Sequence, residues 1–361
     1  MEVLRAQLEK ANSSLQKLQK ETAEAKEALL LCQNSSEEEI KRITEAKDSE
    51  ILKYKFCLER FANDDDSICF YTGFQSYKHF MLFYNLIKPS AETMTYYYAS
   101  GARDSRPDSR CMQTIDELFM FLVRIKLNLM EQDIADRFQV NIATISRKMI
   151  TWANYLYFLL GSQPIWPTKQ SIDANMPSIF QESFPNTRVI LDCTEIRVQT
   201  PSSLLLQSQL YSNYKSTTTM KGLIGIAPHG AVVFVSALYT GSISDKEITE
   251  KSGIIELLEP GDCVMADKGF NIEDTLKKKN VNLNLPPFLQ RKEQFNTEQV
   301  LETKRIAKVR IHVERAIRRV KEFHFFDAYV PLSLAGSINQ IYTVACLLTN
   351  FKGPLIANKD K

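Results

Sequence analysis

No stretch of the 361-residue chain is apolar for anything near the ~18 residues that a membrane-spanning helix requires. The N-terminus is acidic and polar, which excludes a signal peptide. Cysteine is sparse and unpatterned: Cys32, Cys57, Cys69, Cys111, Cys193, Cys263 and Cys346 include no CxxC pair and no Cys/His ligand spacing. That odd, scattered set argues against a disulfide framework and against a zinc finger, and reads as free thiols in a reducing compartment. Glycine (12) and proline (13) are few, so neither a collagen-like nor a low-complexity chain is expected. Charge of one sign is missing too: a formal net charge of +2 means that any basic surface is local. What remains, 44% hydrophobic and 24% charged, is an intracellular globular composition, long enough for two or three domains.

Residues 1–60 differ from the rest. Leu4, Leu8, Ala11, Leu15, Leu18, Thr22, Ala25, Leu29 and Cys32 recur at alternating spacings of four and three, with Glu, Lys, Gln and Ala between them. A two-in-seven stripe this narrow buries itself only against another helix. The reading is a dimerising coiled coil; the alternative is one amphipathic helix folded back on its own chain. Beyond Asn34-Ser35-Ser36 the register slips, with Ile40, Ile43 and Ile51 continuing it loosely. Residues 61–112 read as a linker region, an aromatic stretch (Tyr77 to Leu86) followed by an exposed polar connection (Ser100 to Arg110).

Residues 113–161 carry three helical patterns. Thr114 and Glu117 have capping-box spacing, and a turn near Asn128 leads to a short helix over Glu131–Phe138. Asn141 is an N-cap candidate for a third helix, with Ile142, Ile145, Met149, Trp152 and Leu156 on one face. Its other face offers Thr144, Ser146, Arg147, Lys148 and Thr151. Short helix, tight turn and a helix with small polar and basic residues near its start is the helix-turn-helix layout, which sets Asn141, Thr144, Ser146, Arg147 and Lys148 at DNA. A trihelical bundle without nucleic acid shares the hydrophobic pattern.

After the Pro/Trp-containing linker Gln163–Pro167 comes an α/β region over residues 186–352. Arg188–Leu191 reads as a buried strand, Gly222–Ile226 and Ala231–Leu238 as a hairpin, and Cys263–Ala266 as another strand. Helical patterns follow over Thr297–Lys321 and Leu334–Phe351. Asp192 and Asp267 each end an apolar strand. Two acids on neighbouring strands repel unless a positive group lies between them, and a hard divalent cation meets that need. Glu314 supplies a third, longer acid on the penultimate helix. Two Asp and one Glu can hold a pair of divalent cations about 4 Å apart for in-line phosphoryl transfer. Arg310, Arg318 and Lys321 share Glu314's helix face, and Lys304, Arg305, Lys308, Arg315 and Arg319 add charge suited to phosphates. The alternative is that Glu314 forms ordinary surface ion pairs with Arg310 or Arg318.

Several segments, in order, resemble the Harbinger-like DDE superfamily endonucleases of transposases. They are Asn186–Glu195, Pro201–Ser203 with Tyr214-Lys215, Lys221–Ile226, Gly241–Ile248, Met265–Phe270 and Arg310–Ile317. Glu117 to Trp152 resembles the helix-turn-helix that precedes this nuclease in the family. The resemblance covers roughly residues 75–353. It implies an RNase H-like α/β catalytic domain preceded by an all-α helix-turn-helix domain and a coiled coil. It places the metal-binding, catalytic roles on Asp192, Asp267 and Glu314, with Mg²⁺ or Mn²⁺ as cofactor and DNA as substrate. Lys268 stands where Arg is usual. Asp245 matches a recurrent acid of the family, with a turn or capping role as the alternative; His312 lies in the last motif and reads as packed. Relatives often carry a zinc-binding THAP finger before the coiled coil; this chain opens in the coiled coil without its Cys/His set, which implies a lost or truncated module. The expectation is a nuclear, homodimeric DNA endonuclease; the alternative is a domesticated, catalytically silent DNA-binding or coiled-coil scaffold protein.

Overall fold

The computed structural model describes residues 2–97, 103–104, 112–286 and 297–353. They fall into two units, Met1–Arg60 and Phe61–Lys361. The six described cysteines are all free, and Cys111 lies outside the described residues. Among these residues no helix is long and apolar enough to cross a membrane.

The first unit is dominated by α1 (Glu2–Tyr54), 53 uninterrupted residues spanning about 80 Å at 1.5 Å per residue. No Pro or Gly breaks it, and Ala, Glu, Lys, Leu and Gln all favour helix. Within its heptad seam Leu15, Leu18 and Leu29 lie open, 58%, 61% and 61% exposed.

The second unit begins with structure where a linker reads from sequence. α2 (Asp65–Thr72) is capped by Asp64, whose carboxylate accepts from the Ser67 amide, and α3 (Tyr77–Ala91) by Ser76, whose hydroxyl accepts from the His79 amide. The aromatic stretch is an amphipathic helix, with Phe80, Phe83, Tyr84 and Ile87 buried at helical spacing. A two-residue ladder, β1 (Tyr96–Tyr97) with β2 (Arg103–Asp104), follows. The rest of the polar Ser100–Arg110 connection lies outside the described residues.

The helix-turn-helix segment forms as the patterning predicts. α4 (Thr114–Leu127) stops at Asn128, which is left-handed at φ 55°. α5 (Glu131–Phe138) stops at Gln139, also left-handed. α6 (Ile142–Gly161) starts at Asn141, whose side chain accepts from the Ala143 amide at 2.8 Å. Two details differ. The N-cap of α4 is Gln113, not Thr114, and Glu117 does not serve a cap but lies buried beneath the helices. There it accepts from the Tyr96 hydroxyl (2.8 Å), Lys148 Nζ (2.6 Å) and Trp152 Nε1 (3.2 Å). A carboxylate so deep needs several donors to offset its lost hydration, and Lys148 is drawn inward to supply one.

Past the linker, Arg188 holds the chain in place: its Nη2 donates to the Pro167 carbonyl at 2.7 Å and its guanidinium lies 5.1 Å from the Trp166 ring centroid. The elements are then α7 (Lys169–Ala174), α8 (Ser178–Ser183), β3 (Thr187–Arg197), α9 (Leu204–Leu210), β4 (Tyr211–Ser212), β5 (Thr217–Ile226), β6 (Val232–Val235), β7 (Tyr239–Thr240), α10 (Asp245–Lys251), β8 (Cys263–Met265), α11 (Glu273–Lys277), β9 (Asn282–Asn284), α12 (Thr297–Lys321) and α13 (Ile338–Leu348). β5 runs antiparallel to β3 on one side and to β6 and β7 on the other. β8 and then β9 extend the opposite flank in parallel. Three successive antiparallel strands followed by two parallel ones is the RNase H-like order.

Alternation along the strands separates two faces. Val189 and Leu191 of β3 pack with Leu223, Val264, Ile248, Phe270 and Leu276 in one core. The opposite face of β3 and β5 lies against α12, whose Val309, Val313, Ala316 and Val320 are buried. α13 packs on α6, so the helical layer and the sheet share one compact unit.

Candidate active site

Asp192 lies within β3, not at its end, because the strand continues to Arg197. Val189 pairs with Val264 and Ile190 with Met265 in the parallel ladder. Two residues farther on, Asp192 and Asp267 therefore leave the sheet side by side on the face toward α12. Each carboxylate is fixed by a backbone amide: Asp192 Oδ1 accepts from Cys193 N at 2.8 Å, and Asp267 Oδ1 from Lys268 N at 2.7 Å.

Negative charge is crowded here. Burial, followed by the nearby Asp267 and Asp245 carboxylates, outweighs the Cys193 amide and Arg310 and pushes the Asp192 carboxyl up to about 6. Arg310, reaching from α12, is the counter-charge: its Nη1 lies 3.3 Å from Asp267 Oδ1, while its buried Nε has no partner among the described residues.

Asp245 is the first residue of α10, and Ser244 does the capping. Its side chain turns to the sheet, where Lys221 Nζ of β5 lies 2.8 Å from Oδ1. Its other oxygen would be 2.5 Å from a Cβ at position 269, so a side chain there would make the Asp245 carboxylate shift. Sequence patterning assigned Lys221 no role. Its alternation within a strand gave no sign that an acid from a distant helix would meet it.

Glu314 sits one turn beyond Arg310 on α12. It is exposed and, among the described residues, makes no ion pair, so the pairing with Arg310 or Arg318 weighed from sequence does not form. The structure gathers Asp192, Asp245 and Asp267; among the described residues no three His, Cys, Asp or Glu side chains are close enough to hold a metal ion as they stand. His312 is buried on the other side of α12, with its ring centroid 6.2 Å from that of Phe180. Burial and Arg315 lower its pKa. It is a packed residue.

In the helix-turn-helix, Asn141 is exposed and Thr144, Ser146 and Arg147 partly so, all at the start of α6. Arg147 is steadied along the helix by the Ala143 carbonyl and the Thr144 hydroxyl, each at 3.3 Å. Lys148 is only 7% exposed and paired with Glu117, which removes it from the expected DNA-facing set; Thr151 is buried as well. Arg318 and Lys321 are exposed on α12.

Comparison with known proteins agrees with this layout. The profile described as helix-turn-helix of DDE superfamily endonuclease matches residues 110–162, which contain α4 to α6. The profile described as DDE superfamily endonuclease matches residues 191–350, from β3 to α13. No curated protein and no solved structure matches the chain. Both domain types act on DNA, which implies DNA as the partner. With the two matches falling in order on the helical layer and on the sheet that carries the paired aspartates, the chain belongs to the DDE superfamily of endonucleases.

Proposed function

We propose that the protein is a metal-dependent DNA endonuclease of the transposase type, using Asp192, Asp267 and Glu314 to hold Mg²⁺ or Mn²⁺. The observation that carries this reading is the emergence of Asp192 and Asp267 side by side under a basic helix. The residues fit a divalent cation: the donors are hard oxygens, and a cation would stabilise the Asp192 carboxylate that burial disfavours. When bound, a pair of such ions activates a water or 3′-hydroxyl and stabilises the leaving oxygen of an in-line displacement.

The chain's own groups do the positioning. The sheet and two backbone amides fix the two aspartates, and Glu314 brings a longer acid with no competing ion pair. Arg310 balances the acids in the free protein and is placed to meet a substrate phosphate once they are otherwise neutralised. Arg318 and Lys321 extend that contact along the backbone, while Asn141, Thr144, Ser146 and Arg147 face duplex DNA from the start of α6. The open seam of α1 supports dimerisation as a coiled coil, and a DNA substrate supports a nuclear location.

The test is nicking of supercoiled plasmid with Mg²⁺ or Mn²⁺. Nicking is expected to stop in Asp192→Ala, Asp267→Ala and Glu314→Ala; activity that survives all three removes the assignment. A second reading, a catalytically silent DNA-binding or scaffold protein, is favoured because among the described residues no three candidate ligands stand close enough to share a metal ion. Salt-dependent DNA binding by wild-type protein that never nicks would select it.

A further inference from the structure

At the far end of β3 from its N-terminus, a second charged surface has no part in the acid cluster. β4 and β5 form a tight hairpin whose loop, Asn213 to Ser216, is braced from within. The Lys215 amide donates to Ser212 Oγ at 3.2 Å, and Ser216 is left-handed at φ 50°. The loop thus holds its tip residues outward. Tyr214 is 82% exposed, with Lys215 Nζ 4.6 Å from its ring centroid.

Around the hairpin lie further groups of the same kind. Arg197, exposed at the end of β3, is opposite Thr219 in the ladder. Tyr329 is exposed at the hairpin's base, where its hydroxyl and Thr217 Oγ1 share a 3.0 Å hydrogen bond. Lys321, the last residue of α12, is within electrostatic reach of Lys215, Arg197 and Asp192. Desolvation, and then the neighbouring Lys215 and Arg197 charges, lower its pKa. Three cations gathered beside exposed aromatic rings favour an anion with flat apolar groups attached. Interleaved cations and aromatics are the composition that holds unpaired nucleic-acid strands, phosphates on the cations and bases on the rings.

We propose that Arg197, Tyr214, Lys215 and Lys321 form a shelf that holds an unpaired DNA strand leading to or from the aspartate pair. The three cations take successive phosphates and Tyr214 stacks on one base. The placement of the shelf on the substrate's path rests on the nuclease reading. An intact duplex offers phosphates but no free base face. The tyrosine therefore senses whether the strand is open, as it is once a nick has been made or an end has frayed.

The test uses the full chain in EDTA, with fluorescence anisotropy of labelled oligothymidine and of a labelled duplex over a salt series. Tyr214→Ala is expected to weaken single-strand binding by about 5- to 100-fold, the loss of one base stack, with little change for duplex; Tyr214→Phe keeps the affinity. Lys215→Ala is expected to lower the single-strand salt slope by about 0.7, one phosphate contact. Wild-type single-strand affinity in Tyr214→Ala, or an unchanged slope in Lys215→Ala, overturns the shelf. Because no metal is present, the two ideas fail separately. Nicking that survives loss of the acids removes the nuclease reading without altering these affinities, and unaltered affinities remove the shelf while nicking stands.

Discussion

Replacing Asp192 with Asn is expected to stabilise the metal-free protein while destroying its nuclease activity. In the fold, the Asp192 carboxyl is pushed up to about 6 from an ordinary 3.8, chiefly by burial and secondarily by Asp267 and Asp245. A folded pKa above the unfolded one means that the native state binds the proton more tightly. The native state is favoured by this group in acid, and the benefit is lost as pH rises from about 4 to about 6. At neutral pH the ionised carboxylate costs about 3 kcal/mol, since each tenfold change in proton affinity is worth about 1.4 kcal/mol. Asparagine keeps an oxygen for the Cys193 amide and carries no charge, so Asp192→Asn removes that cost. Trp152 and Trp166 both lie in the second unit, so tryptophan fluorescence during urea unfolding reports on the right part of the molecule. In EDTA at pH 7 the variant should be more stable by roughly 2–3 kcal/mol. The gap should close toward pH 4.5, and Mg²⁺ or Mn²⁺ should stabilise the wild type but not the variant. A variant that is no more stable at pH 7, or a gap that does not change with pH, refutes the account in which burial makes the ionised Asp192 costly.

Lys148 and Arg147 are neighbours in sequence but should separate cleanly by assay. Lys148→Ala leaves Glu117 buried with an uncompensated charge and should cost about 3–5 kcal/mol in urea unfolding. Arg147→Ala should leave stability within about 0.5 kcal/mol while weakening duplex binding about tenfold in a gel-shift titration. Gly269→Ala drives a methyl into the Asp245 carboxylate; nicking should fall at least tenfold, an effect a change at exposed Gly336 should not reproduce. Leu18→Lys with Leu29→Lys should convert a dimer to a monomer in sedimentation equilibrium, and an unchanged monomeric mass in the wild type would remove the coiled-coil proposal.

The elements most legible from residues alone were those with local causes. Periodicity places α5 at Glu131–Phe138 and α12 at Thr297–Lys321, and Asn141 marks the start of α6 by the capping chemistry found there. The apolar runs ending at Asp192 and Asp267 mark these acids as unusual because a buried strand rarely tolerates one. Misreadings arose where the partner was distant. The 61–112 segment reads as a linker until Phe80, Phe83 and Tyr84 are seen packed against the helical layer. Thr114 and Glu117 have capping spacing, but Glu117 meets Tyr96, Lys148 and Trp152 instead, and Lys148 leaves the DNA-facing set for the same reason.

The sequence by itself determined the helices and strands with strong local periodicity, α4 to α6, β3, β5 and α12 among them, and which acids stand at the ends of apolar runs, since these follow from spacings of two to four residues. Only the tertiary structure decided that Asp192 and Asp267 emerge together and that Arg310 reaches them. It also decided that Asp245 lies over Gly269 and that basic and aromatic side chains surround the β4–β5 hairpin. Those relations depend on strand order and on the helix laid across it, and on a balance of burial against charge that exists only once chain segments far apart in sequence have been brought into contact.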